Sequence, residues 1–260
     1  MTTFKLEKPE EEVRRVGFVL EKQGIHERIP ALVGLDIDVS GSMEDLFASG
    51  VVQSALERVL PVALHFDDDA SVDVWVFSDG PRVAQIASAD AANYRGFVER
   101  EIVRKPELRG LLWGGTDYAP VIRANLTHYG LLDEEPAGGF FGTIFGRTRE
   151  TLRETTRLGL PAINYFITDG ANTDRTAAWA MLEGAEAAEA QIYYVMVGVG
   201  TEDFAFLREA AEAFPNVGFV GVDDLASFVG SDDAYEKLLP PELCTWLKHE
   251  HEGEEGEDHH

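Results

Sequence analysis

Ala31-Leu32-Val33-Gly34-Leu35-Asp36-Ile37-Asp38-Val39-Ser40-Gly41-Ser42 passes from an apolar run to a cluster of oxygen-bearing side chains within a few residues. Ala31 to Asp38 is nearly all apolar, the pattern of a central strand covered on both faces. Asp38 ends it, and the turn that follows swings Ser40 and Ser42 beside the carboxylate. Two more segments complete the arrangement. Ala162 to Thr168 reads as another buried strand and runs into Asp169-Gly170, while Gly114-Gly115-Thr116 stands just ahead of a helical pattern. Asp38, Ser40, Ser42, Thr116 and Asp169 thus form a set of two carboxylates and three hydroxyls, with no Cys and no necessary His. Such all-oxygen sets select hard divalent cations, Mg²⁺ by default, with Mn²⁺ or Ca²⁺ as alternatives. Gly114 and Gly115 are expected to permit a tight turn that brings the Thr116 hydroxyl to the same point. Mg²⁺ takes six oxygens, so five protein groups leave a position for an acidic side chain of a partner. Taken singly, the motifs are weak, since Asp and Ser after a strand often cap a helix and T-D-G is often a turn. Their joint occurrence at strand ends is what favours a metal site.

Strands and helices alternate outward from these motifs. Pro9 opens an amphipathic helix with Val13, Val16 and Leu20 on one side, closed by Gly24. Val51 to Phe66 has helical spacing, with a kink expected at Pro61. Val72 to Phe77 and Arg82 to Ile86 read as strands around Asp79-Gly80-Pro81; Asn93 to Val103 and Tyr118 to Tyr129 read as helices. A helix from Thr176 to Ala190, a strand Ile192 to Val199, a helix Phe204 to Phe214, a strand Val217 to Val222 and short helices to Lys248 follow. This order predicts an α/β fold: a doubly wound, mostly parallel sheet with helices on both faces. Ligands of such sheets bind beyond the carboxyl ends of the strands, where the three motifs fall.

At 260 residues, 45% hydrophobic and 27% charged, the chain has material for one full core, and no Pro/Gly/Ser-rich linker divides it. A single cysteine, Cys244, excludes an intrachain disulfide framework and fits a reducing compartment. The first twenty residues mix charges without an apolar h-region, and no stretch has the length to span a bilayer, so a cytoplasmic location is expected. The formal charge of −25 argues against binding nucleic acid through its backbone. Removing the six acids of His249 to His260 leaves −19, so the acidity is global.

The set Asp38-x-Ser40-x-Ser42, Thr116 and Asp169 matches, with no position missing, the metal-ion-dependent adhesion site (MIDAS) of von Willebrand factor A (VWA) domains. The chain resembles these domains from about Ala31 to Leu247. Residues 60–69 (LPVALHFDDD), 74–78 (VWVFS), 113–122 (WGGTDYAPVI) and the end from Tyr235 to Leu247 look like the VWA proteins of bacterial tellurium resistance, TerF type. The resemblance implies a non-enzymatic, metal-dependent protein-binding domain in a tellurite-resistance or chemical-stress assembly, although no residue pattern indicates tellurium chemistry. On this reading residues 1–30 are an N-terminal extension carrying the amphipathic helix, 31–248 the VWA domain with an insertion at about 130–158, and 249–260 a disordered acidic, His-containing tail. The alternative is a haloacid dehalogenase-like phosphatase using Asp36 as nucleophile and Asp38 as general acid, with Asp169 and Asp174 supplying Mg²⁺ carboxylates. It leaves Ser42 and the Gly-Gly-Thr loop without a role. His26, His65 and His128 are scattered and read as surface or satisfied histidines rather than catalysts.

Gly138-Gly139-Phe140-Phe141-Gly142-Thr143-Ile144-Phe145-Gly146 is apolar and is followed by Arg147, Arg149, Arg153 and Arg157. The last three are four apart, as on one helical face. Residues 138–157 are therefore either a flap on the domain's own core or a second contact surface; membrane contact is disfavoured by the global charge.

Overall fold

The computed structural model describes residues 4–66, 71–133 and 152–257. Seven strands form one sheet: β1 (Leu32–Asp38), β2 (Ser71–Phe77), β3 (Val83–Gln85), β4 (Ala89–Asp90), β5 (Ala162–Thr168), β6 (Ile192–Val199) and β7 (Val217–Val222). The order is β3-β2-β1-β5-β6-β7, with β4 pairing β2. β1, β2, β5, β6 and β7 run parallel, and β3 and β4 add antiparallel pairs at the β2 edge. β5 and β6 are buried at every position, which is why both read as largely apolar runs. The sheet is doubly wound, and its order reverses between β1 and β5. That switch point is where such sheets open a crevice for ligands.

Nine α-helices are described: α1 (Pro9–Lys22), α2 (Glu44–Ala48), α3 (Val51–Phe66), α4 (Ala119–His128), α5 (Arg175–Ala187), α6 (Ala205–Ala213), α7 (Leu225–Gly230), α8 (Ala234–Leu238) and α9 (Pro241–Glu257). Two apolar layers sandwich the sheet. One joins α1, α3 and the C-terminal helices to Leu35, Ile37, Val74 and Val195; the other joins α4, α5 and α6 to Phe77, Phe166, Tyr194 and Met196. The N-terminal segment is built into the first layer. Arg58, buried in α3, pairs with Glu12 of α1 at 2.8 Å, stacks on Phe4, and donates to the Val229 carbonyl at 2.5 Å. Burial of a guanidinium is tolerated because a carboxylate and carbonyls surround it.

Several expectations change. Asn93 to Val103 is not one α-helix: Gly96 has a left-handed φ of 63°, and only Glu99–Val103 winds, as a π-helical turn. The tail expected to be disordered from 249 continues α9 as far as Glu257. Leu243 and Leu247 anchor that helix in the core, and once a helix is nucleated, glutamates propagate it readily. Arg153 and Arg157 do not share a helical face: Leu152 forms an antiparallel bridge with Leu132, and bends and turns follow. Gly138 to Gly146, Arg147 and Arg149 lie outside the described residues.

Candidate metal centre

Asp38 and Thr168 are the last residues of two adjacent parallel strands, β1 and β5, so their side chains meet at the switch point. Asp38 is fully buried. Its Oδ1 accepts the Ser40 backbone N–H at 2.7 Å and its Oδ2 accepts the Thr168 hydroxyl at 2.6 Å. The Ser40 and Ser42 hydroxyl oxygens are 3.3 Å apart, and the Ser42 hydroxyl donates to Asp169 Oδ1 at 2.7 Å. Thr116 reaches the same place, its Oγ1 lying 3.9 Å from where a Cβ on Gly170 would stand. The five sequence-derived residues come together, graded from buried Asp38 to exposed Ser42.

The donor set fits a small divalent cation. Oxygen separations of 2.7 and 3.3 Å between neighbouring groups bracket the about 3 Å expected of adjacent ligands around an ion with metal–oxygen bonds of about 2.0–2.1 Å. Burial pushes the Asp38 carboxyl up to about 6, with the Asp169 charge adding a smaller push, and burial also raises Asp169. No cationic side chain compensates either carboxylate among the described residues. Nor does any group of three or more His, Cys, Asp or Glu converge elsewhere among them. The hydroxyls are therefore as necessary to the site as the carboxylates.

The loops are held by partners that sequence reading did not assign. The Trp113 N–H donates to the Val39 carbonyl at 2.7 Å and the Gly41 N–H to the Gly114 carbonyl at 2.9 Å, which fastens the Gly-Gly-Thr loop to the serine loop. Gly114 and Gly115 are not the left-handed residues of this turn; Trp113 is, with φ 64°. Position 114 is crowded instead, since a Cβ there would stand 2.4 Å from Asp79 Oδ1 and displace that side chain. Asp117 accepts the Gly80 N–H and the Thr173 hydroxyl, each at 2.5 Å. Asp174 accepts the Tyr118 and Ala119 N–H groups at 3.0 and 2.7 Å, satisfying the otherwise unpaired donors at the start of α4. The Tyr118 hydroxyl donates to the Gly170 carbonyl at 2.6 Å and latches the threonine loop to the Asp169 loop. Asp117 directly follows Thr116, a signal that was available; nothing in sequence pairs Asp174 with a helix that begins 55 residues earlier.

The family model vWA-TerF-like, described as the vWA found in TerF C terminus, matches residues 30–254. The chain belongs to the vWA-TerF-like family. YcbR of Bacillus subtilis (strain 168), an uncharacterized protein, is 28% identical over 252 residues, which cover 95% of this chain and 88% of YcbR. Among solved structures, proximal thread matrix protein 1 from the mussel byssus aligns over 78% of this chain at 13% identity, with a TM-score of 0.48. The ArnB paralog VWA2 from Sulfolobus acidocaldarius aligns over 78% at 14% identity, with a TM-score of 0.46. The alignments span 46% and 44% of those two chains.

In this vWA-TerF-like chain Asp36 stands apart from the oxygen cluster. It shares a face of β1 with Asp38, is fully buried, and accepts Asn125 Nδ2 at 2.9 Å and Asn164 Nδ2 at 2.5 Å. Burial pushes its carboxyl up to about 8. A side chain so enclosed cannot meet a phosphoester. His128 is held between Asp73 at 3.0 Å and Gln85 at 3.3 Å, so it is a satisfied histidine, as expected. Arg153 pairs with Asp133, which removes it from any free basic patch.

Proposed function

We propose that the chain is a MIDAS-type protein-binding domain, divalent-cation-dependent and non-enzymatic, with Asp38, Ser40, Ser42, Thr116 and Asp169 holding the ion. The observation that carries this reading is the pair of carboxylates, Asp38 and Asp169, meeting three hydroxyls at the switch point with no cationic neighbour among the described residues. Buried charge without a partner is costly, and a cation removes that cost. Mg²⁺ is the default by ligand hardness. When bound, the ion supplies a Lewis-acidic position for a carboxylate oxygen of a partner.

The chain's own groups do the rest. Thr168 and the Ser40 N–H orient Asp38, and Ser42 orients Asp169. Tyr118 and Asp174 hold the threonine loop against the Asp169 loop. At long range a net charge of −25 repels an acidic partner, so attraction must be local and short-ranged. Family membership and the TerF-type resemblance support placing the domain in a cytoplasmic tellurite-resistance or chemical-stress assembly. The phosphatase alternative lacks its nucleophile, because Asp36 is enclosed in the core. No helix among the described residues is long and apolar enough to cross a membrane.

The test is titration calorimetry with MgCl₂ on chelator-treated protein, comparing the intact chain with Asp38→Ala. One site should be present in the first and absent in the second. Equal binding by both would refute the assignment, whatever loose binding the acidic tail contributes.

A further inference from the structure

We propose that the outer edge of β7 binds an extended cationic segment of a partner protein as an added strand. β7 is last in the sheet order, pairing β6 on one side and no strand on the other among the described residues. The Tyr194 N–H donates to the Asn216 carbonyl at 3.0 Å and the Gly200 N–H to the Val222 carbonyl at 2.8 Å. Even-numbered residues of β7 therefore aim their main-chain groups at β6, and odd-numbered ones aim theirs outward. The Val217 N–H is taken by the Phe214 carbonyl at 3.1 Å. The N–H and C=O groups of Phe219 and Gly221 have no partner among the described residues and stand in one row along the edge.

The composition of this edge sets it apart. Native sheets guard an edge by keeping it short, by charging it or by placing Pro in it. β3 and β4, at the opposite edge, are three and two residues long. β7 has six residues, Val-Gly-Phe-Val-Gly-Val, without a charge or a Pro. Phe219 and Val220 pack against opposite apolar layers, and both stay half-exposed. A strand laid alongside pairs the free main-chain groups and covers apolar surface on both faces of the sheet.

Charge selects the occupant. Residues 200–224 contain β7 and the helix α6 packed on it. They hold six acids, Glu202, Asp203, Glu209, Glu212, Asp223 and Asp224, and one base, Arg208, whose guanidinium lies over the Phe219 ring. The whole chain carries −25. A cationic strand is drawn in by both the local and the global field, whereas a second copy of this acidic chain is repelled. None of the five candidate metal ligands lies on β7, so this surface is independent of the ion.

The experiment is a fluorescence polarisation titration of the full chain, in chelator at physiological salt, with a labelled peptide of alternating Lys and Val. Saturable binding at one site is expected, and none for the peptide of alternating Glu and Val. The Lys-Val peptide N-methylated along its centre keeps its charge but loses its N–H donors, and should bind about tenfold more weakly or worse. Gly221→Pro should also weaken the parent peptide about tenfold without lowering the urea midpoint, because the N–H it removes bonds nothing in the described fold. The N-methylated peptide tests the same pairing on the unaltered chain, so the outcome does not rest on the variant folding. Absence of saturable binding, equal binding of the parent and N-methylated peptides, or undiminished binding to Gly221→Pro overturns the proposal. So does a dimer of the chain alone, seen by sedimentation, that Gly221→Pro dissociates, which would assign the edge to a second copy.

Discussion

Replacing Asp36 by asparagine should flatten the pH dependence of stability without loosening the core. Burial pushes the folded-state carboxyl up to about 8, against an ordinary value of 3.8. Between those two values the folded chain holds a proton that the unfolded chain has released. The stability this proton contributes is complete below about pH 4 and lost as pH rises through about 8, at about 1.4 kcal/mol per unit. From pH 5 to pH 7 the loss amounts to about 2.7 kcal/mol as an upper bound. Local geometry favours the amide. Asn125 and Asn164 both donate to Asp36, and the Oδ1 atoms of both lack partners among the described residues. Rotating one of those amides lets its oxygen accept the carboxyl proton, or an N–H of the substituted asparagine. The assay is urea unfolding in chelator at pH 5, 6, 7 and 8 for both proteins. Global repulsion from the −25 charge acts almost equally on the two, so their difference isolates the buried group. The variant should match or exceed the parent at pH 7 and gain on it with each pH step. Parallel stability curves would refute the reasoning, as would a variant weakened equally at every pH.

Gly34→Ala should destabilise the fold by about 1–3 kcal/mol in urea unfolding, because its Cβ would lie 2.0 Å from Asn164 Oδ1 and 2.6 Å from the Tyr129 hydroxyl; a neutral result would mean that Asn164 moves freely. Tyr118→Phe removes the hydrogen bond to the Gly170 carbonyl and should weaken Mg²⁺ binding by calorimetry by about 0.5–1.5 kcal/mol, with unchanged affinity arguing against a latch. Cys244 is 1% exposed, and burial pushes its thiol up to about 11. At pH 8 a disulfide reagent should therefore react with it only as the chain unfolds, and rapid reaction in the native state would contradict its placement.

Sequence reading recovers an element where one interaction dominates it. β5 and β6 have the expected bounds because strands buried on both faces must be largely apolar. α1 ends where expected because Gly24 takes the left-handed conformation, φ 80°, that closes a helix. The segment from Asn93 fails for the opposite reason. Its apolar spacing is helical, but Asp90 Oδ1 collects the N–H groups of Ala92 and Asn93, and Gly96 reverses the backbone. Local polar capping there outweighs periodicity. The basic patch fails because Arg153 and Arg157 are placed by backbone pairing with the turn that follows α4, Arg153 N–H to the Leu131 carbonyl and Arg157 N–H to the Tyr129 carbonyl, which no four-residue spacing reveals.

The same division runs through the candidate site. Its five oxygen-bearing residues were legible because each is an unusual side chain at the end of an apolar run, and strand ends of a parallel sheet converge by construction. The groups that set their orientation were not legible, since Thr168, Tyr118, Asp117 and Asp174 act across 50 residues or more, save for Asp117 on Gly80. Asp36 lies between these cases. Alternation puts it on the face of β1 that Asp38 occupies, yet the asparagines that receive it come 89 and 128 residues later. Two buried acids on one strand therefore have different fates for a geometric reason. Asp38 is itself buried, but it ends the strand, where the loops that carry exposed Ser42 and half-buried Asp169 begin, the side from which the proposed cation would enter. Asp36, two residues deeper, is closed in by α4 and β5, so a proton is the only cation its surroundings admit.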